Sequence, residues 1–87
     1  MRPGRRAITQ SLLTLAEERG SEKTFCPSEA ARRLAPDAWR ECMPRIRAEA
    51  LKLVKVGKLR ANQRGDEVDP GSARGALRFS VPRHSKT

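Results

Sequence analysis

Leu77, Phe79 and Val81 alternate with Arg78 and Ser80, and this short run constrains the fold more than any other stretch of the chain. A period of two marks a strand with one buried face. The clear apolar rhythms before it are helical. Ile8, Leu12, Leu15 and Ala16 fall on one helix face within Arg6 to Arg19. Ile46, Ala50 and Leu53 within 44–56, with Gly57 just after, cluster in the same way. Helices alone would give a plain three-helix bundle with an ordered tail. The late alternation argues instead for a small sheet packed beside the helices.

Glycines and prolines set the boundaries. Gly20 ends the first helix as a C-cap residue. Thr24-Phe25 reads as a very short strand. Pro27 suits the first position of a second helix over 27–34, where its missing N–H costs nothing. Glu29 lies three residues after Cys26, the spacing of a capping box with a thiol in the N-cap role. Ala35-Pro36-Asp37 break this helix, and Asp37 is a good N-cap for a turn of helix near 38–42. Pro44 is expected to interrupt that turn, so the main third helix runs from 44 to 56 with Gly57 as its C-cap residue. Strands are expected at 59–63, 67–69 and 77–81, with turns at Arg64-Gly65-Asp66 and Pro70-Gly71-Ser72. Residues 1–5 read as a mobile leader, 6–82 as the domain and 83–87 as a polar tail. The expected class is α+β, mostly α: a three-helix winged helix-turn-helix with a small antiparallel β wing at 59–81.

The run Thr24-Phe25-Cys26-Pro27-Ser28-Glu29-Ala30-Ala31-Arg32-Arg33-Leu34 resembles an uncharacterised bacterial winged-helix family, one of the "domain of unknown function" families. Trp39-Arg40, Met43-Pro44, Ile46-Arg47, Gly57-Lys58-Leu59, Gln63, Gly65, Val68-Asp69-Pro70 and Arg74-Gly75 extend the resemblance over nearly the whole chain. Members often carry Pro after the late Arg-Gly, where this chain has Ala76. The resemblance implies the fold; it implies no activity, and fold alone supplies none.

Charge narrows the partners. Nineteen Lys and Arg stand against ten Asp and Glu, a net charge of +9. Such a field attracts polyanions: nucleic acid, an anionic surface or an acidic protein. It also serves solubility alone. No stretch approaches the ~20 apolar residues of a spanning helix, which argues against a membrane. The basic start, Met1 to Arg6, leads into no apolar run of a signal peptide, so the expected location is cytoplasmic, with Cys26 and Cys42 reduced.

The expected partner is double-stranded DNA. In a helix-turn-helix the second helix of the motif lies in the major groove. With Ile46, Ala50 and Leu53 inward, Arg45, Ala48, Lys52 and Lys55 lie on the opposite face, with Arg47 and Lys58 at its flanks. Arg45, near the helix start, is placed for a base contact, since Arg can bind guanine with two hydrogen bonds. Lys52 and Lys55 suit phosphates. The wing adds Arg60 and Arg64, with Arg74 and Arg78 nearby, and Ser28 sits in the first turn of the second helix, where N–H groups can hold a phosphate. The same charges also read as a solvated helix face. The alternative function is a protein-interaction module that takes an acidic protein and binds no DNA, with Leu51, Val56 and Trp39 as candidate contacts; Trp39 also reads as a core anchor.

Catalysis finds no support in the sequence. The ten acids form no recognisable convergent pair, His84 lies in the tail, and no Tyr is present. Two cysteines sixteen residues apart and one histidine do not make a zinc site, and no cofactor is expected. Cys26 at a helix start is a candidate redox thiol, against the plainer reading of a small buried hydrophobe. Arg64-Gly65-Asp66 spells a cell-adhesion tripeptide, read here as coincidence.

Overall fold

Three helices pack against a three-stranded antiparallel sheet in the computed structural model, which describes residues 3–82. The helices are α1 (Arg5–Arg19), α2 (Pro27–Leu34) and α3 (Trp39–Lys55); the strands are β1 (Arg60–Gln63), β2 (Asp66–Val68) and β3 (Arg78–Ser80). The sheet order is β2-β1-β3, and Phe25 adds a single antiparallel bridge to Phe79 on the far side of β3. The class is α+β, mostly α, in a winged-helix-like layout. The expected tail, 83–87 with His84, lies outside the described residues, as do the first two residues of the expected leader.

The core forms where the two rhythms meet. Ile8, Leu12, Leu15 and Ala16 of α1 are fully buried against Ala30 and Ala31 of α2 and Ile46 and Ala50 of α3. The two alanines of α2 keep that helix close to its neighbours. Phe25 and Phe79 close the sheet side, buried and tilted at 44° with ring centroids 6.2 Å apart. That spacing is within the favourable range for an aromatic pair.

Several details differ from the expected layout. α3 is one helix from Trp39, running through Pro44. Pro44 removes one helical hydrogen bond, but it and Arg40, whose carbonyl loses the partner, are both exposed, so water reaches the gap. Cys42, Met43 and Ile46 are all buried, and their burial holds the helix together across the proline. The N-cap of α3 is Ala38 rather than Asp37, with no side-chain capping bond. α1 takes in Arg5, which the expected leader included; β1 begins at Arg60 rather than 59, β2 runs from Asp66 to Val68 rather than 67–69, and Leu77 and Val81 flank β3 rather than belonging to it.

The end of α3 fixes where the sheet begins. Gly57 adopts φ +83° after the cap residue Val56. Its N–H reaches the Val54 carbonyl at 3.0 Å, and the Lys58 N–H reaches the Leu53 carbonyl at 2.8 Å. This is a Schellman closure, and it turns the chain directly into β1.

Candidate nucleic-acid interface

The exposed side of α3 divides into two flanks. With Ile46, Ala50 and Leu53 inward, steps of about 100° place Arg47, Leu51 and Val54 on one flank and Arg45, Glu49 and Lys52 on the other. Ala48 and Lys55 lie between them. The first flank faces the 69–77 connection across an open cleft. One lobe, about 380 Å³, lies between Cys26, Met43, Arg47 and Leu77; a second, about 420 Å³, lies between Val54, Lys55 and Pro70. Leu51 contributes to both and is 40% exposed. The opposite flank is partly neutralised: Glu49 pairs with Lys52 at 3.5 Å and with Arg5 at 3.3 Å.

The wing side of the cleft is built from short-range hydrogen bonds. β1 and β2 join through a two-residue turn, Arg64-Gly65, with φ +55° and +88°. Two positive values are what a tight hairpin between right-twisted strands needs. This places Arg64 at the exposed tip. Beyond β2, the Asp69 carboxylate accepts from the Gly71 N–H at 2.9 Å and the Ser72 hydroxyl at 3.3 Å, a local Asx turn. The Gln63 side-chain amide donates to the carbonyls of Arg74 and, at 3.3 Å, Ala76. Gln63 therefore ties the return segment to β1, with Arg74 exposed upon it.

The expected contact residues separate into four groups, Arg60 standing apart from the rest. Arg47, Lys55, Lys58, Arg64 and Arg74 are exposed and form no ion pair among the described residues. Arg45 and Lys52 lie on the flank with Glu49, away from the wing. Ser28, in the first turn of α2, is half-buried, and its hydroxyl donates to the Cys26 sulfur at 3.3 Å.

Arg60 departs from the expected wing surface. It is only 8% exposed. Its guanidinium donates to the Val81 carbonyl at 3.0 Å, the Asn62 side-chain oxygen at 3.3 Å and the Ser21 carbonyl at 2.5 Å. Asn62 in turn donates to the Ser80 hydroxyl at 3.0 Å. Arg60 is thus a buried strut between the sheet and the α1–α2 connection. Arg78 is exposed but also bonded within the protein, donating to the Thr24 hydroxyl at 2.6 Å and the Thr24 carbonyl at 3.0 Å.

A cluster that the helical rhythm does not reveal sits where α2 meets α3. Trp39 is half-buried, and the guanidiniums of Arg32 and Arg40 lie over its ring at 4.4 and 4.9 Å. Such cation–π contacts hold the charges in place while leaving their N–H edges outward. Arg40 is seven residues before Arg47, so it extends the same flank of α3.

The start of α2 is anchored independently of any ligand. The Cys26 N–H donates to the Glu29 carboxylate at 2.9 Å, completing the capping box, and Arg19 also donates to Glu29. Burial pushes the Glu29 carboxyl up. The hydrogen bonds from Arg19 and the Cys26 N–H, with the charges of Arg19 and Arg78, outweigh it and hold its pKa below the ordinary glutamate value. A bidentate pair from Arg33, at 2.7 and 3.0 Å, likewise lowers the Glu18 carboxyl on the surface.

A family model described as "Protein of unknown function (DUF3253)" matches residues 5–82, from the first residue of α1 to just past β3. The chain belongs to the DUF3253 family. The match spans all six elements, so the cleft and both its walls are part of the DUF3253 unit. No curated protein matches the chain. Among the described residues, no group of three or more His, Cys, Asp or Glu is placed to hold a metal ion. No helix among them is long and apolar enough to cross a membrane.

Proposed function

We propose that this DUF3253 protein is a winged helix-turn-helix protein that binds double-stranded DNA, with α2 and α3 as the motif and the hairpin and its return segment as the wing. One observation carries the reading. Arg47 and Lys55 line the cleft from α3, and Lys58 after α3, Arg64 on the hairpin and Arg74 on the return segment are exposed like them; none is engaged by a carboxylate among the described residues. Unpaired cations on an exposed helix face and on the hairpin that follows it suit the phosphate backbone beside a groove. Of the three acids on this side, Glu67 shares a sheet face with Asn62 and Arg78, Asp66 lies opposite Gln63 on the other face, and Asp69 lines the second lobe with its carboxylate held by the Gly71 N–H and the Ser72 hydroxyl. On this reading Arg45 and Lys52 are peripheral and Arg40 joins the contact surface. The assigned role is binding, with regulation of transcription as its use and no reaction.

Fluorescence anisotropy with random-sequence duplex DNA across a salt series tests this. About six phosphate contacts give a slope near −5 in log affinity against log salt. No binding at about 50 mM salt, or binding indifferent to salt, would remove the reading. A second reading draws on Leu51 and Val56, 40% and 68% exposed, as apolar contacts for an acidic protein. Recovery of one acidic protein after nuclease treatment, with no affinity for the duplex, favours that reading.

A further inference from the structure

We propose that the 380 Å³ lobe of the cleft is a binding site for a small amphiphilic carboxylate, meaning one anionic group on a short apolar body. The volume falls within the range of small-molecule sites. Met43 and Leu51 from α3 and Leu77 and Phe79 from the sheet side supply apolar walls, and Arg47 is the one charged residue of the lining. No carboxylate lines the lobe, and Arg47 has no ion pair among the described residues. An apolar slot with one unpaired guanidinium at its edge recognises an apolar acid in preference to an alcohol, because guanidinium and carboxylate form a charge-assisted pair. An acid with a branched polar body would leave its own groups unpaired against the apolar walls.

The site also has a consequence for the wing. One wall belongs to α3, and the other is the 75–77 segment, tied to β1 through the Gln63 amide. An occupant touches both walls and neutralises Arg47. On the DNA reading, the carboxylate therefore weakens DNA binding, and DNA weakens carboxylate binding by the same factor.

NMR titration of the isotope-labelled protein with sodium octanoate and with 4-phenylbutyrate, without DNA, tests the site. Saturable shifts are expected at Met43, Arg47, Leu51, Leu77 and Phe79, with a dissociation constant below about 1 mM for at least one acid. Octan-1-ol should bind about tenfold more weakly, and Arg47→Gln should lower acid affinity about tenfold. Ala76→Trp, placed in the exposed wall, should fill the lobe and abolish the shifts. Failure of both acids to saturate below about 1 mM, unchanged affinity in Arg47→Gln, or unchanged shifts in a folded Ala76→Trp would overturn the proposal. Anisotropy with duplex DNA, with and without the acid, separates the two readings. A protein that takes the acid but no DNA upholds the site and overturns only the DNA reading. A protein that binds DNA but neither acid does the reverse.

Discussion

Two sets of arginines in this protein differ in their bonding. At the α1–α2 junction and on the sheet, Arg19, Arg33, Arg60 and Arg78 direct their guanidiniums at carboxylates or carbonyls of the protein itself. On α3, the hairpin tip and the return segment, Arg47, Arg64 and Arg74 are exposed and form no ion pair among the described residues. A net charge of +9 says nothing about this division. The first set is internal bracing, and its charges are satisfied by folding. The second set contributes little to folding, since isolated exposed charges contribute little, and is open to a polyanion. On the proposed function, the second set rather than the first would carry the contacts to nucleic acid.

The strongest way to break this division is Arg60→Ala. The change strands the Val81 and Ser21 carbonyls and the Asn62 oxygen near the buried sheet. Lost hydrogen bonds to a charged group cost about 2–3 kcal/mol here, read by urea unfolding. The folded fraction should keep the salt slope of its DNA binding. A normal unfolding midpoint with a slope shallower by one would place Arg60 at the interface and dissolve the contrast.

The opposite variant sharpens it. Arg47→Ala, Lys55→Ala and Arg64→Ala combined should flatten the salt slope by about three while each site shifts stability by no more than about 0.5 kcal/mol. Arg45→Ala with Lys52→Ala, on the flank shared with Glu49, should change the slope less. If that second pair has the larger effect, DNA approaches from the side away from the wing.

Much of this architecture is legible in the sequence, and the illegible parts have physical causes. Ile8, Leu12, Leu15 and Ala16 mark the inward face of α1 because a helix with one buried side writes its period into the chain. Gly57 and Arg64-Gly65 mark the chain reversals because each needs a positive φ. β1 leaves no such mark: Arg60, Ala61 and Asn62 are buried in succession, so polar and apolar neighbours do not alternate, and Arg60 reads as surface. Pro44 reads as a break because local preference ignores the burial of Cys42, Met43 and Ile46 around it. Among the contact residues, the exposed cations of α3 are readable from helical spacing. Which flank faces the wing is not, because that depends on the path of 69–77, set by Asp69 and Gln63. Arg32 and Arg40 meet on Trp39 from separate helices, which no single-helix rhythm reveals.

Acid tests the braced side alone. The Glu29 pKa is lowered in the fold, so its contribution is complete above the unfolded value, near 4.5, and is lost as pH falls through the lower folded value. Thermal melts should therefore weaken progressively below about pH 4.5, and Glu29→Gln should flatten that dependence. At neutral pH the same variant removes the charge facing Arg19 but keeps an amide oxygen that can accept from the Cys26 N–H, a loss of about 1 kcal/mol. Equal acid sensitivity in both proteins would show that the acid response arises elsewhere.

The smallest effect falls on the wing tip, where stability and binding are expected to move in opposite directions. Arg64 holds φ +55°, a left-handed conformation in which asparagine is far more at ease than arginine. Arg64→Asn should therefore stabilise the domain by about 0.5–1 kcal/mol, read as a raised urea midpoint with the slope of the transition unchanged. If the tip serves only the hairpin, nothing else changes. If it contacts a phosphate, the stabilised variant binds duplex DNA more weakly and its salt slope is shallower by about one. A strained arginine that can be relaxed without loss of DNA affinity would leave the α3 flank as the remaining seat of the proposed contact. A loss of affinity together with a gain in stability would mean that the open arginines are held in place at a cost to the fold, whereas those of the braced side contribute to it.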